Sequence, residues 1–189
     1  MKKNGFVFVR VLALLLVFGF VLAGCGSKDP LEGTWTTVVE GETVTAVFYG
    51  GKIGLDALGN GMSPYVFEKN VGTIDTGYGD VIFNLSGKTI KINILGLEFS
   101  LTKDAKTTTP KALAGEWIAD DGSKLAFMGN LVISTDEDGD TEFGSYTFEN
   151  NQGEFDDVFF DTFIVSDKTL TVDPENDYYK KVFTLGGKK

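Results

Sequence analysis

Two short phrases occur twice in this chain, and they occur in register. Leu31-Glu32-Gly33-Thr34-Trp35 returns as Leu113-Ala114-Gly115-Glu116-Trp117, 82 positions later. Tyr65-Val66-Phe67-Glu68-Lys69-Asn70-Val71-Gly72 returns as Tyr146-Thr147-Phe148-Glu149-Asn150-Asn151-Gln152-Gly153, 81 positions later. Offsets that agree to within one residue mean a duplicated unit of about 80 residues, and each copy must bury the same kind of core. The duplication sets the number of domains and narrows the fold before any chemistry is considered.

Within each copy the apolar residues alternate. Ile90, Ile92 and Ile94 are spaced by Lys91 and Asn93, and Leu97, Phe99 and Leu101 resume the pattern after Gly96. Val44, Ala46 and Phe48 share a face, while Leu170, Val172, Phe183 and Leu185 take equivalent places in the second copy. A period of two is the signal of a half-buried strand. Gly50-Gly51, Gly59-Asn60-Gly61, Asp121-Gly122, Gly129-Asn130 and Asp138-Gly139 punctuate these runs as hairpin turns. The sequence predicts an all-β protein: two tandem antiparallel meanders or barrels of about six to eight short strands each. The first spans residues 31–103 and the second 113–186, with the polar, proline-containing stretch 104–112 as a linker.

The first 24 residues read differently. Lys2, Lys3 and Arg10 precede the apolar run Val11 to Val21, which is short for a bilayer core of about 30 Å and fits a secretory signal peptide. The run ends in Leu22-Ala23-Gly24-Cys25, and Cys25 is the single cysteine of the chain. This ending resembles the lipobox of bacterial lipoproteins. The resemblance implies cleavage between Gly24 and Cys25, a diacylglycerol on the Cys25 sulfur and palmitate-type acylation of the new N-terminus. Residues 25–30 then become a tether. Two or three acyl chains hold a protein firmly on a membrane where one does not. The expected location is extracytoplasmic, on the outer face of the cell membrane or on an outer membrane where one exists.

Leu-x-Gly-x-Trp carries a second resemblance. Gly33, Trp35, Gly115 and Trp117 are similar to the Gly-x-Trp signature of the lipocalins, in which the tryptophan plugs the closed end of a barrel. With the later Tyr-x-Phe strand, residues 31–102 and 113–185 resemble the short lipocalin-like repeat domains of bacterial lipoproteins. Lipocalins use roughly twice this length for one barrel, and a small eight-stranded barrel is filled by its own side chains. The resemblance implies the topology and a small core.

Composition excludes several functions. The chain carries a net charge of −10, and residues 1–24 hold three positive charges and no acid, so the remainder stands at −13. Such a surface repels phosphate backbones and anionic lipid headgroups, so neither nucleic acid nor a polybasic membrane contact is expected. Without a cysteine beyond Cys25, and with no histidine at all, disulfides, cysteine–zinc sites and Ser-His-Asp chemistry are ruled out.

Three local patterns invite chemistry. Ser86-Gly87-Lys88-Thr89 contains the Gly-Lys-Thr of a phosphate loop, but Ile82 stands where the first glycine belongs and a strand follows. The stretch Asp136 to Glu142 places Asp136, Asp138 and Asp140 as in a calcium loop, yet Gly139 falls two positions early and Thr147 occupies the place of the bidentate glutamate. An acidic hairpin tip is expected there, with weak calcium binding as the alternative and no other cofactor. Glu154, Asp156 and Asp157 could pair as the acid and base of a glycosidase, or simply end strands in water. The two tryptophans and most phenylalanines are expected in the core, and Tyr49, Tyr65, Tyr78, Tyr178 and Tyr179 at the surface. The loop Thr76–Asp80 and its counterpart near Asp156 are the places to look for a ligand.

The favoured reading is a membrane-anchored, non-catalytic binding or interaction module, with a small hydrophobic ligand, a glycan or a protein as open partners. The alternatives are a small carboxylate-based hydrolase of the cell envelope and a ligand-free structural protein.

Overall fold

A computed structural model describes residues 29–76, 79–94, 96–104, 107–156 and 158–186. The signal segment, Gly24, Cys25, most of the tether, Tyr78 and Asp157 lie outside the described residues. The chain divides into two units, residues 1–32 and 33–189. In the first, Asp29 closes a turn: its carbonyl accepts the Glu32 N–H at 3.1 Å and its carboxylate the Leu31 N–H at 2.9 Å. The second unit contains both barrels.

The architecture is all-β, and each copy closes on itself as an antiparallel eight-stranded barrel. Barrel 1 comprises β1 (Gly33–Val39), β2 (Glu42–Tyr49), β3 (Lys52–Leu55), β4 (Met62–Glu68), β5 (Val71–Asp75), β6 (Asp80–Ser86), β7 (Thr89–Ile94) and β8 (Leu97–Lys103). Barrel 2 comprises β9 (Glu116–Ala119), β10 (Lys124–Met128), β11 (Leu131–Thr135), β12 (Thr141–Glu149), β13 (Gln152–Asp156), β14 (Thr162–Ser166), β15 (Thr169–Val172) and β16 (Lys181–Leu185). Each strand pairs with its sequence neighbour. Trp35 opposite Lys103 closes the first ring, and Leu185 opposite Trp117 closes the second. Among the described residues there is no helix long and apolar enough to cross a membrane.

The inward positions follow the alternation. Trp35, Phe48, Phe83, Ile90, Ile92 and Leu101 fill barrel 1, and Trp117, Leu125, Phe163, Leu170, Val172 and Phe183 fill barrel 2. Trp117 Nε1 donates to the Leu113 carbonyl at 3.2 Å, and the Lys103 ammonium lies 5.5 Å from the Trp35 ring centre. Gly33 and Gly115 precede the two tryptophans at φ 132° and 125°, a conformation that strongly favours glycine. A Cβ at either would also press on the closing strand, 2.9 Å from Lys103 Cε and 2.7 Å from Leu185 Cδ1.

The second repeated phrase has its own packing reason. Lys69-Asn70 and Asn150-Asn151 turn the β4–β5 and β12–β13 hairpins with positive φ, the conformation asparagine tolerates best among non-glycines. Gly72 and Gly153 then leave room for a ring from the next strand, since a Cβ would overlap Phe83 and Phe163. Phe67 stacks on Phe83 at 4° and Phe148 on Phe163 at 2°. Tyr65, expected at the surface, instead points into the barrel and meets Phe48 edge-on at 5.3 Å. Tyr146 does the same in barrel 2; its hydroxyl donates to the Gly129 carbonyl at 2.6 Å, and burial pushes its pKa up to about 12.

Strand alternation does not account for a second cluster. Val47, Met62, Ala126, Leu131, Ile133 and Phe143 point outward from their barrels yet are buried, because they pack one barrel against the other. Gly54 belongs to this contact, since a Cβ there would fall 2.4 Å from the Phe143 ring. Asn60 and Gly61 extend it, through a Phe143 N–H to Asn60 carbonyl bond of 2.9 Å and an antiparallel bridge between Gly61 and Glu142. Lys52 Nζ donates across it to Gly139 O and Thr141 Oγ1, both at 2.7 Å. The linker, residues 104–112, makes contacts of its own. Thr109 Oγ1 donates to Phe127 O and accepts the Gly129 N–H, and Lys111–Leu113 forms a 3-10 turn, so its second half is fastened to barrel 2.

Candidate functional site

The tryptophans mark one end of each barrel. In a meander the turns alternate between ends, so β3–β4, β5–β6 and β7–β8 turns lie at the opposite end of barrel 1. The same end of barrel 2 is formed by the β9–β10, β11–β12, β13–β14 and β15–β16 connections. Each of these ends opens into a cavity. The first, about 640 Å³, is lined by Ile53, Leu55, Leu58, Ile74, Val81 and Ile94, with Lys52 and Thr76 at its margin. The second, about 620 Å³, mixes aromatic and charged groups, among them Asp121, Glu142, Phe159, Phe160, Tyr179 and Lys181. Gly61, Asp140 and Thr141 border both, so the two mouths open side by side. The cores below are filled by side chains, as a barrel of this size requires; the space lies at the mouths.

The second mouth is held by polar contacts. Lys181 Nζ lies 2.7 Å from Asp121 Oδ2 and donates to Ser123 Oγ at 3.2 Å. The Lys181 hydrogen bond, helped by the Ser123 N–H, lowers the Asp121 pKa to about 2. Buried Asp173 accepts the N–H groups of Asp161 and Thr162 at 3.0 and 2.9 Å, tying the β15–β16 connection to the start of β14. Glu142 Oε1 accepts the Phe159 N–H at 3.1 Å and so fixes the β13–β14 loop.

Asp136, Asp138 and Asp140 fall in the β11–β12 connection at this rim. Asp136 Oδ1 accepts the N–H groups of Asp138 and Asp140 at 3.0 and 2.9 Å. That carboxylate organises its own loop, and among the described residues no three Asp, Glu, His or Cys side chains gather as a metal-holding group. Glu154 and Asp156 flank inward Phe155 on β13 and so face outward, exposed to solvent. Ser86 to Thr89 is the β6–β7 hairpin. Thr76, from one of the two loops singled out in the sequence, borders the first mouth, and Phe159 and Phe160, from the other, border the second.

Sequence reasoning missed Lys181, Asp173 and the role of Tyr179. A signal existed. Ile90 and Leu170 are equivalent at an offset of 80, whereas their partners Leu101 and Phe183 are equivalent at 82, so the second copy carries two extra residues between β15 and β16. The longer connection ends in Tyr178-Tyr179-Lys180 at the mouth. Comparison with protein-family models, with curated proteins and with solved structures returns no match.

Proposed function

We propose that the protein is a bacterial envelope lipoprotein, anchored through acylated Cys25 on the extracytoplasmic side. In this reading its paired lipocalin-like domains, residues 31–103 and 113–186, serve as a non-catalytic binding module. One observation carries it: two cavities of about 640 and 620 Å³ open side by side, each at the barrel end away from the tryptophan. That size suits a small ligand. A carboxylate hydrolase needs an acid whose pKa is raised toward neutrality, and the Asp121–Lys181 pair in the second mouth drives Asp121 the other way, to about 2. The anchor rests on the basic start, the apolar run and the Leu-Ala-Gly-Cys ending.

Native mass spectrometry of the membrane-extracted protein tests the binding role. A small molecule retained at fixed stoichiometry is the expected result, and a protein that is always bare and stabilised by no ligand would favour the structural alternative. Cys25→Ser tests the anchor. It should release the protein from the membrane or stall its processing, whereas normal cleavage with unchanged membrane retention would refute lipidation.

A further inference from the structure

The two mouths arise from one duplicated unit, yet they differ in chemistry. The first is walled by aliphatic side chains, and the second by aromatic rings amid carboxylates. The difference comes partly from the β15–β16 connection, longer by two residues than its counterpart, which delivers Tyr178 and Tyr179. The longer loop is built to hold them. Asn176 caps it, its side chain accepting the Tyr178 N–H at 3.1 Å and its carbonyl the Tyr179 and Lys180 N–H groups at 3.1 and 2.8 Å. Phe159, whose own N–H is pinned by Glu142, faces this loop.

These rings are left in water. Phe159 is 69 % exposed, Tyr178 86 % and Tyr179 45 %, where core packing would have hidden them. They also stand at steep angles, Phe159 to Tyr179 at 77° with centres 5.7 Å apart and Tyr178 to Tyr179 at 86° with centres 4.9 Å apart. A pyranose stacks best on one flat, open ring. Rings set edge to face make a corner instead, the shape that surrounds a compact cation with π-faces. The charge at the mouth has the matching sign: Asp121 is neutralised by Lys181, while Glu137, Asp138 and Asp140 at the rim are exposed.

From this we infer that the mouth of barrel 2 binds a small organic ammonium, with Phe159, Tyr178 and Tyr179 as the cage and Glu137, Asp138 and Asp140 as its counter-charge. The inference rests on the reading of the protein as a binding module and names the ligand class of one of its two mouths. The Lys181 ammonium already lies 5.9 Å from the Phe160 ring centre, so the mouth accommodates one such contact within the chain itself.

Calorimetric titration of the full-length, detergent-extracted protein with choline and 1,4-diaminobutane tests it, with glucose as the neutral control. Saturable binding that weakens as salt is raised is expected for both amines and none for glucose. Tyr179→Ala or Phe159→Ala should weaken amine binding by about tenfold, while Tyr179→Phe should keep it, because the π-face and not the hydroxyl is the contact. Preference for choline would mark a trimethylammonium headgroup and preference for the diamine a free polyamine; either supports the class. Amine binding that ignores both alanine changes, tighter binding of glucose, or no amine binding would overturn the inference. In the last case a different molecule retained in native mass spectrometry would leave the binding-module reading standing.

Discussion

Trp35 and Trp117 stand beside the pairing that closes each barrel, and both are almost wholly removed from water. Truncation of a large buried ring to alanine costs about 3–5 kcal/mol, because the surrounding side chains relax only partly into the space. Each barrel closes its own hydrogen-bonded ladder, so Trp35→Ala should lower amide protection mainly in residues 33–103 and Trp117→Ala mainly in 116–185. Equal loss across both barrels in hydrogen exchange would contradict this. Asp121 permits a pH prediction. Its folded pKa of about 2 lies below the 3.8 of a free aspartate. A depressed pKa means stabilisation that is complete above the unfolded value and fades as pH falls toward the folded one. Lys181→Met should therefore flatten the loss of melting temperature between pH 3.8 and about 2, and parallel acid curves would refute the pairing. At this scale much was legible in the sequence. The glycines and tryptophans of the repeat are plain in the sequence, and the alternation of Tyr65 with Phe67 along β4 places its ring inward rather than at the surface.

Strands were readable as elements wherever one face meets water. They were not readable in β10 and β11, where Leu125, Ala126 and Phe127, then Leu131, Val132 and Ile133, are buried in succession. Both faces of these strands are covered, one by the barrel core and one by the neighbouring barrel, so alternation disappears. The cavities were hidden for another reason: their walls come from several turns far apart in the chain, and only folding brings them together. The β11–β12 connection illustrates the limit of motif spacing. Asp136, Asp138 and Asp140 sit as a calcium loop would place them, but Asp136 is already engaged by two backbone N–H groups. Millimolar calcium is expected to leave the melting temperature unchanged. A ligand present at ten times its dissociation constant would add roughly 1.4 kcal/mol, so a calcium-dependent rise abolished by Asp136→Asn with Asp138→Asn would reverse this conclusion.

The whole molecule is two closed barrels that meet through side chains. Closure leaves neither barrel a free strand edge for pairing with another chain. Phe143 is the largest fully covered side chain of the contact, set over Gly54. Phe143→Ala should cost about 3–5 kcal/mol and separate the calorimetric melt into two transitions; one undivided melt of unchanged midpoint would show that the contact adds no coupling. The partners across this contact are also equivalent to one another. Val47 corresponds to Ala126, Tyr49 to Met128, Gly54 to Ile133 and Met62 to Phe143, as the hairpin registers place them. Gly61, bridged to Glu142, is bridged to its own counterpart. This is the pattern of an isologous interface, in which one patch meets itself across a two-fold axis. The chain thus has the arrangement of a homodimer whose subunits are covalently joined. The join frees the two halves from identity: at the contact, Gly54 opposite Phe143 is a small-to-large fit that two identical subunits could make only in duplicate, and at the mouths an aliphatic and an aromatic cavity can coexist on one face.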